Sequence, residues 1–490
     1  MKRAAFLLIL PCLPLGAGET VLGAYIFHRH GSRTSKSYPP VQLTPLGASE
    51  SRSSGAWYRN RYVSGNASAK IHGFSPDTVT LSQLSVLSPM DDILQNSAQA
   101  FLQGLYPPVG KAASSEQSST EDVVNGLLDG YQYIPVNTVG MSTTGVQGED
   151  NMRLQTGSGC PNAIKSTERY LESSEYLQNL KDTMNFYQRL LPVYDKTFPA
   201  EKASFEHAYG IYDLVHVSTA LNDTKISHTE LLTAEVQHQL YTLASAHEWG
   251  LAFNSSEPVR AMVGSILAGQ IVQGLNATLR APLKTNSTNR LTIQFGAYAS
   301  FMSFFGLSQA TAASEDFYGI VDYDSSFVIE LVTDAEVDSL SSSADTINAD
   351  DAYIRFLFAN GTASETNQPK PFPLFGQQEI RLKWNTFIEE MSKFSITDTA
   401  EWCVACGATE GVCSGAGSSD VSTAKADSGG MSNVVAGVIG AVVTLAVATL
   451  LAALAVGIGG LRLVKKKAPR LSMAIAPKTS RDDMSYEERV

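Results

Sequence analysis

Apolar positions along the chain change their spacing several times, and each change predicts an element. Thr20 to Phe27 is a nearly unbroken apolar run, the pattern of a strand buried on both faces, and it ends at His28-Arg29-His30-Gly31-Ser32-Arg33. Chemistry often sits where such a strand ends. Ser88-Pro89-Met90-Asp91-Asp92 predicts a helix start, with a capping residue, a first-turn proline and two acids at the positive end of the helix dipole. Ile93, Leu94, Phe101, Leu102 and Leu105 supply its apolar face, and Tyr106-Pro107-Pro108 stops it. Helical periodicity runs through much of Ser166 to Leu283, clearest at Tyr170 to Leu191 and Leu231 to Leu243. Strand patterns resume at Leu291 to Phe295, Ser326 to Val332 and Tyr353 to Phe358. Strands on both sides of a helix-rich middle predict an α/β fold: a central sheet flanked by helices, with a helical lobe inserted at about residues 110–285.

Two apolar runs stand outside this pattern. Lys2-Arg3, the stretch Ala4 to Leu15 and small residues Gly16-Ala17-Gly18 form a secretory signal peptide, residues 1–17, about half as long as a spanning helix needs to be. Val434 to Gly460 carries no charge, and Arg462, Lys465, Lys466, Lys467 and Arg470 follow it. A single transmembrane helix over residues 433–461 is expected, with a cytoplasmic tail, 462–490, on its basic side. A removable lipid-anchor signal ends in its apolar stretch, whereas this chain continues. The Gly- and Ser-rich residues 407–432 predict a flexible stalk, leaving 18–406 as an ectodomain. The expected location is the cell membrane, single-pass, with the N-terminal part outside.

Composition agrees with that placement. At 43% hydrophobic and 17% charged residues the chain can bury a large core, and the net charge of −12 without a broad basic patch excludes a nucleic-acid partner. Asn-X-Ser/Thr sequons at Asn66, Asn222, Asn254, Asn276, Asn286 and Asn360 all precede the expected membrane segment, as glycosylation outside the cell requires. Removing Cys12 with the signal leaves Cys160, Cys403, Cys406 and Cys413, an even set suited to disulfides, with three pairings open. Cys403 and Cys406 have the spacing of half a zinc site, but no second close Cys or His pair accompanies them, so no metal is expected.

Arg29-His30-Gly31-Ser32-Arg33 resembles the Arg-His-Gly-X-Arg signature of the histidine acid phosphatases, the phytase-like branch of the histidine phosphatase superfamily. Leu43-Thr44-Pro45-Leu46-Gly47 and Arg59-Asn60-Arg61-Tyr62 resemble the elements that come next in that family, and Ser97 to Pro107 resembles its following helix. Asp322-Tyr323-Asp324-Ser325-Ser326, the strand ending at Glu330-Leu331, and Trp402-Cys403 extend the likeness over nearly the whole ectodomain. The resemblance implies the histidine phosphatase (phosphoglycerate mutase-like) fold, no cofactor, a phosphorylated small molecule as ligand, and His30 as the nucleophile that becomes a phosphohistidine. Arg29 and Arg33 then grip the phosphate, for which planar guanidinium forks are well suited.

The sequence departs from that family at three places. Where a further phosphate-gripping arginine is expected the chain has Leu87, and where a His-Asp pair should supply the leaving-group acid it has Tyr298 and Ala299. Ser35 stands in place of a proline. Tyr298 is the available substitute acid, though with an ordinary pKa near ~10 it is a weak one. His247-Glu248 is another adjacent histidine and acid, but it lies in the helical middle; His207, His216, His228 and His238 are expected to be ordinary helix-surface or core histidines. Two functions remain open: a cell-surface phosphomonoesterase acting through His30, or a catalytically silent pseudophosphatase that binds a phosphorylated ligand or partner.

Overall fold

The computed structural model describes residues 18–109, 130–137, 159–284, 288–337 and 346–414. The signal segment, Asn286, most of the stalk, the apolar run at 433–461 and the tail lie outside the described residues. Among the described residues no helix is long and apolar enough to cross a membrane.

A mixed central sheet carries the fold. Its strands are β1 (Thr20–Arg29), β2 (Leu84–Leu87), β3 (Leu291–Gly296), β4 (Ser326–Thr333), β5 (Ala352–Ala359), β6 (Lys370–Phe372) and β7 (Arg381–Lys383). They run in the order β2-β3-β1-β4-β5-β6, with β7 also paired to β5. β1, β3 and β2 are parallel, with Arg29 opposite Gly296 and Leu87 opposite Gln294, so their C-terminal ends share one edge. β4 and β5 run antiparallel beside them.

Because successive side chains of a strand point to opposite faces, β1 divides its apolar run between two cores. Val21, Ala24 and Ile26 pack with Trp57, Tyr58 and Phe101 from helices α1 (Pro45–Tyr58) and α2 (Asp92–Leu105). Leu22, Tyr25 and Phe27 pack with Ile271 and Leu275 of α7 (Met262–Arg280) and Phe301 of α8 (Tyr298–Leu307). Four helices that come between α2 and α7 in the chain, α3 (Pro161–Leu171), α4 (Ser174–Tyr194), α5 (Ala208–Leu221) and α6 (Ala234–Ala252), share a separate cluster built on Tyr176, Phe186, Tyr187, Phe205, Ile211 and Leu240. Two short helices, α9 (Trp384–Ser392) and α10 (Thr399–Cys406), follow β7, and Cys160–Cys406 and Cys403–Cys413 form disulfides.

Two expected boundaries shift, each because a side chain caps better than its neighbour. α2 starts after Asp91, whose carboxylate accepts from Ile93 and Leu94 N–H at 3.0 Å each, so Ser88 and Pro89 precede the helix. One acceptor group thus satisfies two of the orphan donors at a helix start. The run Tyr170 to Leu191 is split, because Ser173 accepts from Tyr176 N–H and starts α4 anew.

Buried charges tie the layers together. Glu330 lies wholly buried in β4 and accepts from Arg61 Nε (3.0 Å), Tyr62 Oη (2.6 Å) and Arg355 Nε (2.6 Å), joining the segment after α1 to two central strands. Asp324, also buried, accepts from Ser51 Oγ (2.8 Å) and Ser54 Oγ (2.6 Å) of α1, and its N–H donates to His30 O at 2.9 Å. Burial pushes the Asp324 carboxyl up to about 7, against opposition from the serine hydrogen bonds. The unfolded chain, with the ordinary 3.8, therefore releases this proton first. This group's contribution is fullest below about pH 4 and is lost as pH rises toward about 7, with a slope of about 1.4 kcal/mol per pH unit. We expect urea midpoints to fall more steeply over that interval in the unaltered protein than in Asp324→Asn. Parallel profiles would show that Asp324 ionises normally.

Candidate functional site

The loop after β1 is shaped by contacts too close for side chains. A Cβ on Gly31 would meet Gly47 O at 2.2 Å, and one on Gly47 would meet Ser32 O at 2.1 Å, so the two motif glycines let the loop rest on the start of α1. Thr44 caps α1 by accepting from Gly47 N–H (3.0 Å), while its hydroxyl donates to Ser32 O (2.8 Å). Ser97 Oγ of α2 accepts from Gly31 N–H (3.1 Å) and Glu50 accepts from Ser32 N–H (2.8 Å). The strand end is therefore held by its backbone, leaving the side chains of Arg29, His30 and Arg33 to other work.

All three are buried, at 4%, 8% and 1% exposure. His30 Nδ1 lies 2.9 Å from Gly31 O. A carbonyl only accepts, so Nδ1 carries the proton and Nε2 of the neutral ring keeps its lone pair. Burial, followed by the positive charges of Arg29 and Arg33, holds the His30 pKa well below 6.5, which keeps the ring neutral in mild acid. Arg29 stands over the Tyr323 ring, with Cζ 4.4 Å from its centroid and 5.4 Å from that of Tyr298, and donates to Val321 O. Arg33 makes a buried ion pair with Asp213 Oδ1 of α5 at 2.8 Å and donates to Tyr209 Oη at 3.0 Å. Among the described residues the Nε of each arginine has no hydrogen-bond partner.

Asp213 is the residue that sequence reasoning missed. Besides Arg33 it accepts from Ser35 Oγ (2.9 Å) and Lys36 N–H (2.8 Å). Burial works against its charge, but Arg33 and these donors hold its carboxyl below the usual range. Ser35 is thus part of the site, and its hydroxyl is a signal the sequence did display. Arg29, Tyr209, Tyr323 and Asp213 line a small space of about 10 Å3, about enough for one water.

Tyr298 follows β3 at the same sheet edge, at the start of α8, its ring tilted against that of Tyr209 with centroids 4.9 Å apart. Its hydroxyl donates to Glu248 Oε2 at 2.7 Å, and Glu248 Oε1 meets His247 Nδ1 at 2.8 Å. The pair from the helical middle therefore does reach this edge. Burial, with Glu248 beside it, raises the Tyr298 pKa well above 10, so its proton is held rather than offered. Leu87 ends β2 on the same edge, without charge. Among the other histidines His216 lies near the site, 6.0 Å from the Tyr323 ring; His238 sits further out, on α6. No cluster able to hold a metal occurs among the described residues. The sequons at Asn66, Asn222 and Asn360 are exposed, whereas Asn254 and Asn276 are half-buried.

A neutral imidazole between two arginines, at the C-terminal edge of an α/β sheet, is an arrangement suited to phosphate. Residues 37–359 match the sequence model of the histidine phosphatase superfamily (branch 2), more than half of the chain, and the protein belongs to that family. The matched span begins after Arg33, so the place of the His30 loop rests on its geometry. Lysosomal acid phosphatase from Xenopus laevis is 25% identical over 317 residues, covering 62% of this chain and 64% of the relative, a little less than two thirds of its length. The Hafnia alvei phytase without ligand has the same fold with a TM-score of 0.51, at 12% identity over 80% of this chain and 99% of that one. Klebsiella sp. ASR1 phytase gives 0.51 at 10% identity over 77% and 96%.

The geometry sets an internal carboxylate in competition with any phosphate for Arg33. Calorimetry with phosphate or vanadate should give weak binding to the unaltered protein, sharply reduced in Arg29→Ala and in Arg33→Ala. Asp213→Asn frees the guanidinium and should tighten binding at least about tenfold, a charge-assisted pair being the stronger kind. It should also melt earlier and recover more on adding phosphate. Unchanged affinity in Asp213→Asn would remove the competition.

Proposed function

We propose that this protein is a cell-surface phosphomonoesterase of the histidine phosphatase type, working through a phosphohistidine at His30 and confined to esters whose leaving group departs without a proton. The observation that carries this reading is the pairing of a neutral, Nδ1-protonated His30 and two arginines having unpartnered Nε–H groups with an acid position occupied by Tyr298 and Ala299. His30 Nε2 attacks phosphorus, the ester oxygen leaves with the bonding pair, and water later takes the phosphoryl group from the ring. Tyr298, at the acid position, offers no proton, because it commits its own to Glu248. General-acid help is worth roughly 10²–10⁴ in rate. An alkyl ester loses that help, while an aryl ester with an acidic phenol has little need of it. The ionised Glu248 is engaged by His247 and Tyr298, so activation of the hydrolytic water is weak as well.

A second reading is favoured by the filled seat on Arg33. With Asp213 seated on Arg33, the loop also suits a catalytically silent relative that has replaced substrate phosphate by its own carboxylate. The same experiment separates the two. Mixing full-length protein with p-nitrophenyl phosphate at mildly acidic pH should release a stoichiometric burst of phenol followed by slow turnover, with an acid-labile phosphoryl group on His30. The rate should exceed that for an alkyl phosphate by at least about a hundredfold and vanish in His30→Ala. No burst and no labelled His30 would establish the silent reading; equal rates on alkyl and aryl esters would mean that an acid operates after all.

A further inference from the structure

A larger cavity of about 400 Å3 opens beside the site, between α5, α6 and the turns carrying Asp316 and Asp322. That volume is in the range of small-molecule sites, about 300–1,000 Å3. Its chemistry differs from that of the loop at His30. None of its lining residues is a lysine or arginine, while Asp316 and Asp322 both face it. Both acids are exposed, and among the described residues neither has an ion-pair partner; Asp316 only accepts from Ser314 Oγ, at 3.1 Å. The walls between them are aromatic. Tyr212 and Tyr241 lie with ring centroids 5.7 Å apart, and His216 stacks on Tyr212 at 5.2 Å.

We propose that this cavity binds a small organic cation, an alkylammonium or quaternary ammonium group held against the tyrosine faces and neutralised by Asp322 and Asp316. Ring faces carry the negative end of the aromatic quadrupole, and a carboxylate beside them adds to the same field. An anion entering from solvent meets two carboxylates first. Arg29 lies in the adjoining small space, turned to the Tyr323 ring and Val321 O, and Arg33 is paired with Asp213. Tyr212, His216 and Asp322 line both spaces, so a cation bound here sits beside the space lined by Arg29 without occupying it. The inference stands on the cavity itself and does not depend on turnover at His30.

Calorimetry on the full-length protein at low salt, with choline, spermidine, glycerol and sulfate as probes, tests it. Choline and spermidine should bind and compete with each other, while glycerol and sulfate neither bind there nor displace them. Asp322→Asn and Asp316→Asn, nearly isosteric changes at exposed positions, should each weaken choline binding at least about fivefold, with the near-ultraviolet circular dichroism unchanged. Raising the salt tenfold should weaken it severalfold, as expected of partly screened charges. His30→Ala should leave it intact. Binding of glycerol or myo-inositol as strong as that of choline and indifferent to both aspartates would overturn the proposal in favour of a neutral polyol site, and the absence of any cation binding would overturn it outright. Loss of the p-nitrophenyl phosphate burst with choline binding retained would count against the enzymatic reading alone.

Discussion

Two guanidinium groups lie buried at the end of one strand, and much of the surrounding architecture answers that constraint. An unpaired buried charge is expensive, costing several kcal/mol after relaxation. Arg33 is compensated by Asp213 and Tyr209, both from α5, and Arg29 by the Tyr323 and Tyr298 rings and the Val321 carbonyl. The compensation comes from outside β1. It therefore fastens the helical lobe and the loop before β4 to the strand end, and it leaves His30 neutral between like charges.

The same arrangement limits chemistry. A site that waits for an anionic ester normally keeps its cations unsatisfied until the ester arrives, since charge complementarity is then gained on binding. Here one arginine is already paired, and among the described residues the buried Nε–H of each arginine is left without a partner. Tyr298 shows a similar economy, because its proton is directed to Glu248 and away from a leaving group. His30 and the two arginines are kept while Tyr298 withholds its proton, and on the proposed reading this separates phosphoryl transfer to His30 from the steps that require an acid.

Asp324 and Glu330 show how the loop is held from beneath. Each is a buried acid on or just before β4, and each takes its hydrogen bonds from the α1 side of the sheet, Asp324 from Ser51 and Ser54 and Glu330 from Arg61 and Tyr62. The Arg-Asn-Arg-Tyr and Glu330-Leu331 segments, far apart in sequence, thus form one polar network beneath the apolar layer. The two disulfides do comparable work at the far end, one pinning the start of α3 to α10 and the other closing the last described turn.

The sequence by itself determined the strands β1, β3, β4 and β5, the α/β class and the His30 loop, because these depend on local period and on short motifs whose side chains act near where they stand. Its weak points were short elements and caps: β2, β6 and β7 have too few residues for a period to emerge, and α2 begins at Asp91 because one carboxylate satisfies two amides better than Ser88 can. The departures at Leu87 and at Tyr298-Ala299 were legible as missing residues. What took their place was not. Asp213 reaches Arg33 across 180 residues of chain, Glu248 reaches Tyr298 across 50, and the acidic aromatic cavity is assembled from two helices and three connecting segments. Only tertiary packing decides such pairings, because a buried charge takes whichever partner the fold brings within about 3 Å, and no local pattern records that distance.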